Sequence, residues 1–138
     1  MITTALDTNV ILDLLVGTPA LASQSEAALK AAKLDGPFSA SIIVYAEVAA
    51  NFQSKTRADD FFRLINSRIA PVDGPIAFLA GQFFRQYRDR GGNRTRILPD
   101  FLIAAHAQLN ADRILTRDKR FFKETFPKLK AVSPADLI

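Results

Sequence analysis

Short apolar runs alternate along this chain with longer stretches in which apolar residues recur at helical spacing. Thr3–Leu6 is the first short run and predicts a strand. Asp7 and Asn9 precede Val10–Val16, a helix that Gly17 ends. Thr18 and Pro19 have the pattern of an N-cap followed by proline at the first helical position, opening a helix to about Leu34 that stops at Gly36. Phe38–Ala40 predicts a second strand, and Ser41 caps an apolar helix over Ile42–Phe52. Thr56 suits the cap of a helix over Arg57–Ile65, with Asp59 and Asp60 in its first turn. Ile69–Val72 predicts a third strand. Asp73 and Pro75 open a helix through about Arg88, and Gly91-Gly92-Asn93 breaks it. Pro99–Leu109 predicts an apolar helix. Arg113–Thr116 predicts a fourth strand, Arg120–Thr125 a short helix closed by Pro127, and Ala131–Val132 a fifth strand.

Strands that alternate with helices imply a mainly parallel sheet covered on both faces, an α/β/α sandwich. The 138 residues suit one domain, spanning 1–138, with no internal repeat and no linker. No apolar stretch reaches the roughly 18 residues of a membrane span. The first residues lack the basic region and cleavage site of a signal peptide. With no cysteine, disulfides and thiolate metal sites are excluded and a reducing cytoplasm is the natural assignment; with one histidine, a multi-histidine zinc site is excluded too.

Charge changes the picture more than composition does. Residues 1–84 carry six basic and eight acidic groups, a net −2; residues 85–138 carry twelve and six, a net +6. Such a split suits a polyanionic partner, nucleic acid or an acidic protein segment, or else a solvated basic face.

Four acids stand out against this background. Ligands of open α/β sheets bind beyond the carboxyl ends of strands. Asp7 directly follows the first strand, and Asp118 lies two residues past Thr116 at the end of the fourth. Asp7 also suits a helix cap, and Asp118 a turn. Glu47 interrupts Ile42–Ala50, which is otherwise apolar all round and is therefore expected to be buried. A lone buried carboxylate must be paired, protonated or metal-bound; the alternative for Glu47 is a buried ion pair with an arginine or a narrow solvent-facing strip. Asp100 opens an apolar helix after Pro99, where a helix dipole alone would also favour it. Together the four offer the hard oxygen ligands that Mg²⁺ and Mn²⁺ prefer. Asn9 and Thr116, with Thr8, are placed to assist Asp7 and Asp118. His106 lies off Asp100's helical face and reads as structural or as a surface residue; Asp13, six positions after Asp7, lies off that acid's face in the same way, and Asp112 reads as a turn residue.

Arg85, Arg88, Arg90, Arg94 and Arg96 surround the Gly91-Gly92 break, and Arg117, Lys119, Arg120 and Lys123 surround Asp118. Both clusters flank candidate ligands. Arg94, Arg96, Arg117, Lys119 and Arg120 are the candidates for holding RNA phosphates. Arg94 and Arg96, just before Asp100, are the strongest of these and would equally serve to neutralise the acids when no metal is bound.

Leu6-Asp7-Thr8-Asn9-Val10, Ala46-Glu47-Val48, Pro99–Ala107 and Leu115–Phe121, in this order, resemble the PIN domain, and more narrowly the VapC-type toxins of toxin–antitoxin pairs. The resemblance covers essentially the whole chain. It implies a three-layer α/β/α fold with strand order 3-2-1-4-5 and Mg²⁺- or Mn²⁺-dependent cleavage of RNA, often tRNA or rRNA. By motif position Asp7, Glu47, Asp100 and Asp118 match the acidic quartet, with Asn9 and Thr116 in support; the fourth acid varies in the family. The resemblance further implies a homodimer and an antitoxin partner. A housekeeping PIN nuclease and a nucleic-acid-binding module that does not cut stay open as alternatives.

Overall fold

The computed structural model describes residues 1–93 and 95–138. Its strands are β1 (Thr4–Leu6), β2 (Phe38–Ser41), β3 (Ser67–Ala70), β4 (Arg113–Leu115) and β5 (Ala131–Val132). They form one sheet in the order β3-β2-β1-β4-β5, with every neighbouring pair parallel. The helices among the described residues are α1 (Thr8–Val16), α2 (Pro19–Asp35), α3 (Ile42–Ala49), α4 (Lys55–Leu64), α5 (Gly74–Asp89), α6 (Leu98–Asn110), α7 (Lys119–Thr125) and α8 (Pro134–Leu137). No helix among them is long and apolar enough to cross a membrane.

The strand order sets the layers. Parallel strands need crossovers, and these are right-handed. From β1 the chain steps outward to β2 and β3, then returns past β1 to β4 and β5. The reversal puts α1–α4 over one face and α5–α7 over the other. It also leaves a crevice beyond the carboxyl ends of β1 and β4, where the direction of winding changes. The expected α/β/α sandwich and its 3-2-1-4-5 order are both present.

Buried side chains explain the rigidity of this frame. Ala5, Leu6, Ile114 and Leu115 of the two central strands are at most 1% exposed, as expected for strands covered on both faces. Beneath the carboxyl edge, Phe101 of α6 packs against Phe84 and Tyr87 of α5 and against Phe121 and Phe126, at centroid separations of 5.2–6.1 Å. This aromatic cluster fixes the start of α6 relative to α7, and thus Asp100 relative to Asp118.

At the opposite edge, the Arg113 side chain is buried, with Nε donating to Thr4 Oγ1 at 2.9 Å and a 2.9 Å ion pair to Asp35. Gly36 ends α2 where the chain passes so close to Ile2 that a Cβ would lie 2.3 Å from the Ile2 carbonyl oxygen. Gly36→Ala is therefore expected to cost about 2 kcal/mol through overpacking against backbone. The urea midpoint measures it, and an unchanged midpoint would show that the backbone yields there.

Several boundaries differ from the sequence reading. The cap of α4 is Ser54, whose hydroxyl accepts the Arg57 N–H, rather than Thr56. β3 covers Ser67–Ala70, two residues earlier than expected. The third helix stops at Ala49, and α8 was not anticipated.

Candidate active site

Each candidate acid is delivered by a different connection. Asp7 is the N-cap of α1, directly after β1. Asp118 is the N-cap of α7, after β4. Glu47 lies on α3 and Asp100 in the first turn of α6. All four line one cavity of about 190 Å³, together with Thr8, Asn9, Leu12, Arg96, Ile103 and Phe122.

Hydroxyl and amide groups orient the acids. Asp7 Oδ1 accepts the Thr8 N–H at 2.8 Å, and Oδ2 accepts the Thr116 hydroxyl at 2.7 Å and the Asn9 amide at 3.3 Å. Thr116 Oγ1 in turn accepts the Asp118 N–H at 2.9 Å, and Asn9 Oδ1 accepts the Arg117 N–H at 3.0 Å. The ends of β1 and β4 are thereby tied together through their polar side chains. Thr8 Oγ1 donates to Glu47 Oε1 at 2.7 Å, which brings α3 to the same point. Asp100 Oδ2 accepts the Ile97 N–H at 3.1 Å, so this acid closes its own helix terminus.

Among the described residues every buried side-chain nitrogen and oxygen has a hydrogen-bond partner, yet the charge of Asp7 is not compensated. Asp7 is 8% exposed and has no cationic partner among the described residues. Burial pushes its carboxyl up from 3.8 to about 6; the Thr116 hydroxyl and Thr8 N–H pull it down, and the charges of Asp100 and Glu47 push it up further. A carboxylate held in this way has a stake in a nearby cation.

The one cation that reaches the cavity is Arg96, among the described residues. Its guanidinium pairs with Asp118 at 2.5 Å and lies over the Phe121 ring, 3.8 Å from the centroid. The sequence offers Arg96 both for phosphate and for neutralising the acids, and its pairing with Asp118 is the second of these. The apolar wall residues Leu12 and Ile103 were not singled out. They lie one helical turn beyond Thr8 and Asp100, so helical spacing identifies them.

Three expectations need correction. Glu47 is exposed rather than buried, because α3 buries only Val44 and Val48 and leaves Ile42 and Ala46 exposed. Its claim on the site rests on the Thr8 bond and the cavity, not on burial. Arg117 does not turn its charge to the cavity. Its guanidinium pairs with Asp13 and donates to Gln24, Ser25 and the Leu21 carbonyl. Lys119 pairs with Asp136 at 2.8 Å and Arg120 with Glu124 at 3.0 Å, and both line a separate surface depression. Arg94 lies outside the described residues.

The other structural readings agree with the geometry. His106 is buried, with Nε2 3.0 Å from the Ser39 hydroxyl, and burial with the nearby Arg68 charge lowers it to about 4. It stays neutral and away from the acids. Asp112 accepts the Thr3 N–H at the amino end of β4.

The donor set consists of carboxylate oxygens, which suits a hard divalent cation. As they stand, no three acidic or histidine side chains among the described residues close around a single point. An ion held here would keep part of its water shell, as Mg²⁺ does by preference.

Comparison with known proteins places this geometry in context. Residues 4–126 match the PIN domain family. Ribonuclease VapC10 of Mycobacterium tuberculosis is 34% identical over 88 residues, covering 64% of this chain. The match spans 65% of that relative's own length. Among solved structures, VapBC2 from Rickettsia felis, bound to a DNA fragment from its promoter, superimposes with a TM-score of 0.73 at 20% identity. That match covers 95% of this chain and 98% of the other. FitAcB from Neisseria gonorrhoeae gives 0.68 at 26% identity over 97% and 99% of the two chains.

Proposed function

The chain belongs to the PIN domain family, and on that premise we propose that it is a divalent-metal-dependent endoribonuclease acting as the toxin of a toxin–antitoxin pair. The observation that carries the reading is the buried Asp7 carboxylate, raised by its burial and by Asp100 and Glu47, in a cavity that all four acids line. Such a cluster is unfavourable without a cation and useful with one.

Bound there, Mg²⁺ or Mn²⁺ would supply charge to the phosphoryl oxygens and a water of lowered pKa as nucleophile. The chain's own residues do the positioning. Asp7 is held by Thr116 and Asn9, and Glu47 by Thr8. Asp100 stands at the amino end of α6 and Asp118 at that of α7. Leu12, Ile103 and Phe122 form an apolar wall that keeps bulk water from one side of the acids. Arg96 is free to exchange Asp118 for a phosphate, since both bind a guanidinium in the same planar manner.

The relative named a ribonuclease supports RNA as substrate, and the likeness to VapBC2, to FitAcB and to a toxin–antitoxin complex from Klebsiella pneumoniae, at a TM-score of 0.67, supports an antitoxin as partner. The family resemblance extends this to tRNA or rRNA and to a homodimer, and the cysteine-free composition supports a cytoplasmic setting. Incubating the purified chain with total cellular RNA, in Mn²⁺, Mg²⁺ or EDTA, and mapping RNA 5′ ends tests the proposal. Discrete new ends that need metal are expected. Binding without cleavage in every metal would point to a non-cutting module instead.

A further inference from the structure

The acid cavity, at about 190 Å³, has room for an ion and the reacting phosphate. It is smaller than the roughly 300 Å³ at which ligand pockets begin, so the nucleosides beside the cut need another surface. A groove of about 890 Å³ runs along α5 and the turn after it, and Arg96 lines both spaces. Its walls include Phe84, Arg85, Tyr87 and Arg88 as well as Arg96. Asp89 is the one acid on this wall among the described residues, 3.8 Å from Arg85 in an exposed pair. The groove is therefore basic.

Its shape is built into the sequence. Gly91 has φ +74°, and a Cβ on Gly92 would collide with the Tyr87 ring at 2.4 Å. The glycine pair lets the chain fold over that ring, and Tyr87 Oη accepts the Asn93 N–H at 2.8 Å. The Tyr87 ring is anchored beneath by Phe101 and Phe121. Arg88 lies over the Phe84 ring, 5.4 Å from its centroid, and Phe101 packs against the same ring at 5.2 Å, so a planar group reaches Phe84 by taking the place of the Arg88 guanidinium.

We propose that this groove is a binding subsite for a short unpaired stretch of the RNA strand on one side of the bond to be cut. The proposal rests on the nuclease reading above. Arg85 and Arg88 hold phosphates, the face of Phe84 that Arg88 leaves takes a base, and Arg96 passes the strand to the acids. An unpaired strand fits this combination because its bases are free to stack on aromatic rings, whereas a duplex presents mainly phosphate and 2′-hydroxyl. An acidic peptide would use the arginines but leave the aromatic floor unused.

The test uses the full chain in EDTA with a fluorescein-labelled single-stranded oligouridylate. The doubly substituted Arg85→Gln, Arg88→Gln chain is expected to bind it about tenfold more weakly at 0.1 M salt, with the log–log salt slope lower by about 0.7 per arginine removed. Arg57→Gln, Arg63→Gln, both on α4, is the charge-matched control and should change little. A 5-iodouridine probe should photo-crosslink to the peptide holding Phe84 and Tyr87, which needs no substitution. Unchanged affinity and slope, or crosslinks confined to other segments, would overturn the subsite. Polyglutamate that displaces the RNA equally well and is equally weakened by the double substitution would make the groove a protein surface and overturn it too. Metal-dependent cleavage by the unsubstituted chain is assayed alongside. If cleavage persists while the arginines prove irrelevant, only the subsite falls; if the chain neither cuts nor binds RNA, the nuclease reading falls with it.

Discussion

Asp7→Asn is expected to lower metal-dependent RNA cleavage by about a thousandfold and to remove a pH-dependent weakness of the metal-free fold. The first effect is on the scale of losing one strong transition-state contact. The second follows from the displaced carboxyl. The folded chain holds the Asp7 proton up to about pH 6, whereas the ordinary value is 3.8. Its contribution to stability is complete below the ordinary value and is lost as pH rises through 6. Over that window the loss amounts to about 3 kcal/mol, at 1.36 kcal/mol per pH unit. Asparagine carries no charge to bury, although it accepts less strongly from the Thr8 N–H and the Thr116 hydroxyl. Urea midpoints in EDTA should therefore fall between pH 4 and 7 for the unsubstituted chain by more than for Asp7→Asn. Mn²⁺ should recover the difference at pH 8 in the former and not in the latter, because an ion that binds only the folded state stabilises it. A variant that still cuts RNA, or a parent indifferent to both pH and metal, would remove Asp7 from the centre of the site.

Much of the frame was legible because local signals agreed with one another. Thr18 before Pro19 and Asp73 before Pro75 mark helix starts, and both side chains cap as expected. β1 and β4 read as short apolar runs, so Asp7 and Asp118 fell at strand ends from the sequence alone. The misplaced elements have identifiable causes. The apolar run Ile69–Val72 extends across Pro71, which has no N–H for a ladder, and β3 instead starts earlier at Ser67 and ends at Ala70. Ser54 and Thr56 are both competent caps, and only the fold chooses between them. α8 is four residues long, too short for periodicity to register. Glu47 was misjudged because composition was taken for burial: an apolar helix at a carboxyl edge needs to bury only one stripe. Arg117 shows the limit of adjacency. It lies beside Asp118 in sequence, but its partner Asp13 belongs to the first helix, and no local pattern announces that pairing.

That pairing supports the other large effect. Arg117→Ala is expected to destabilise the chain by about 3–5 kcal/mol, the scale of breaking a buried ion pair from one side. Asp13 is 8% exposed and would retain only the Ser25 hydroxyl, at 2.6 Å. Gln24 Oε1 and the Leu21 carbonyl would also lose their donor. The guanidinium joins the loop after β4 to α1 and α2, so its loss loosens the same loop that carries Thr116 and Asp118. The Arg117 N–H to Asn9 belongs to the backbone and survives the substitution. Replacing Asp13 by Asn at the same time removes the stranded charge, so the double variant should be more stable than Arg117→Ala alone. Urea midpoints of the four chains measure the coupling. RNA affinity, compared under conditions where each chain is folded, should be nearly unchanged by Arg117→Ala. The opposite result, full stability with weakened RNA binding, would return Arg117 to the substrate surface and show that its bonds to Asp13 and Ser25 open when RNA arrives.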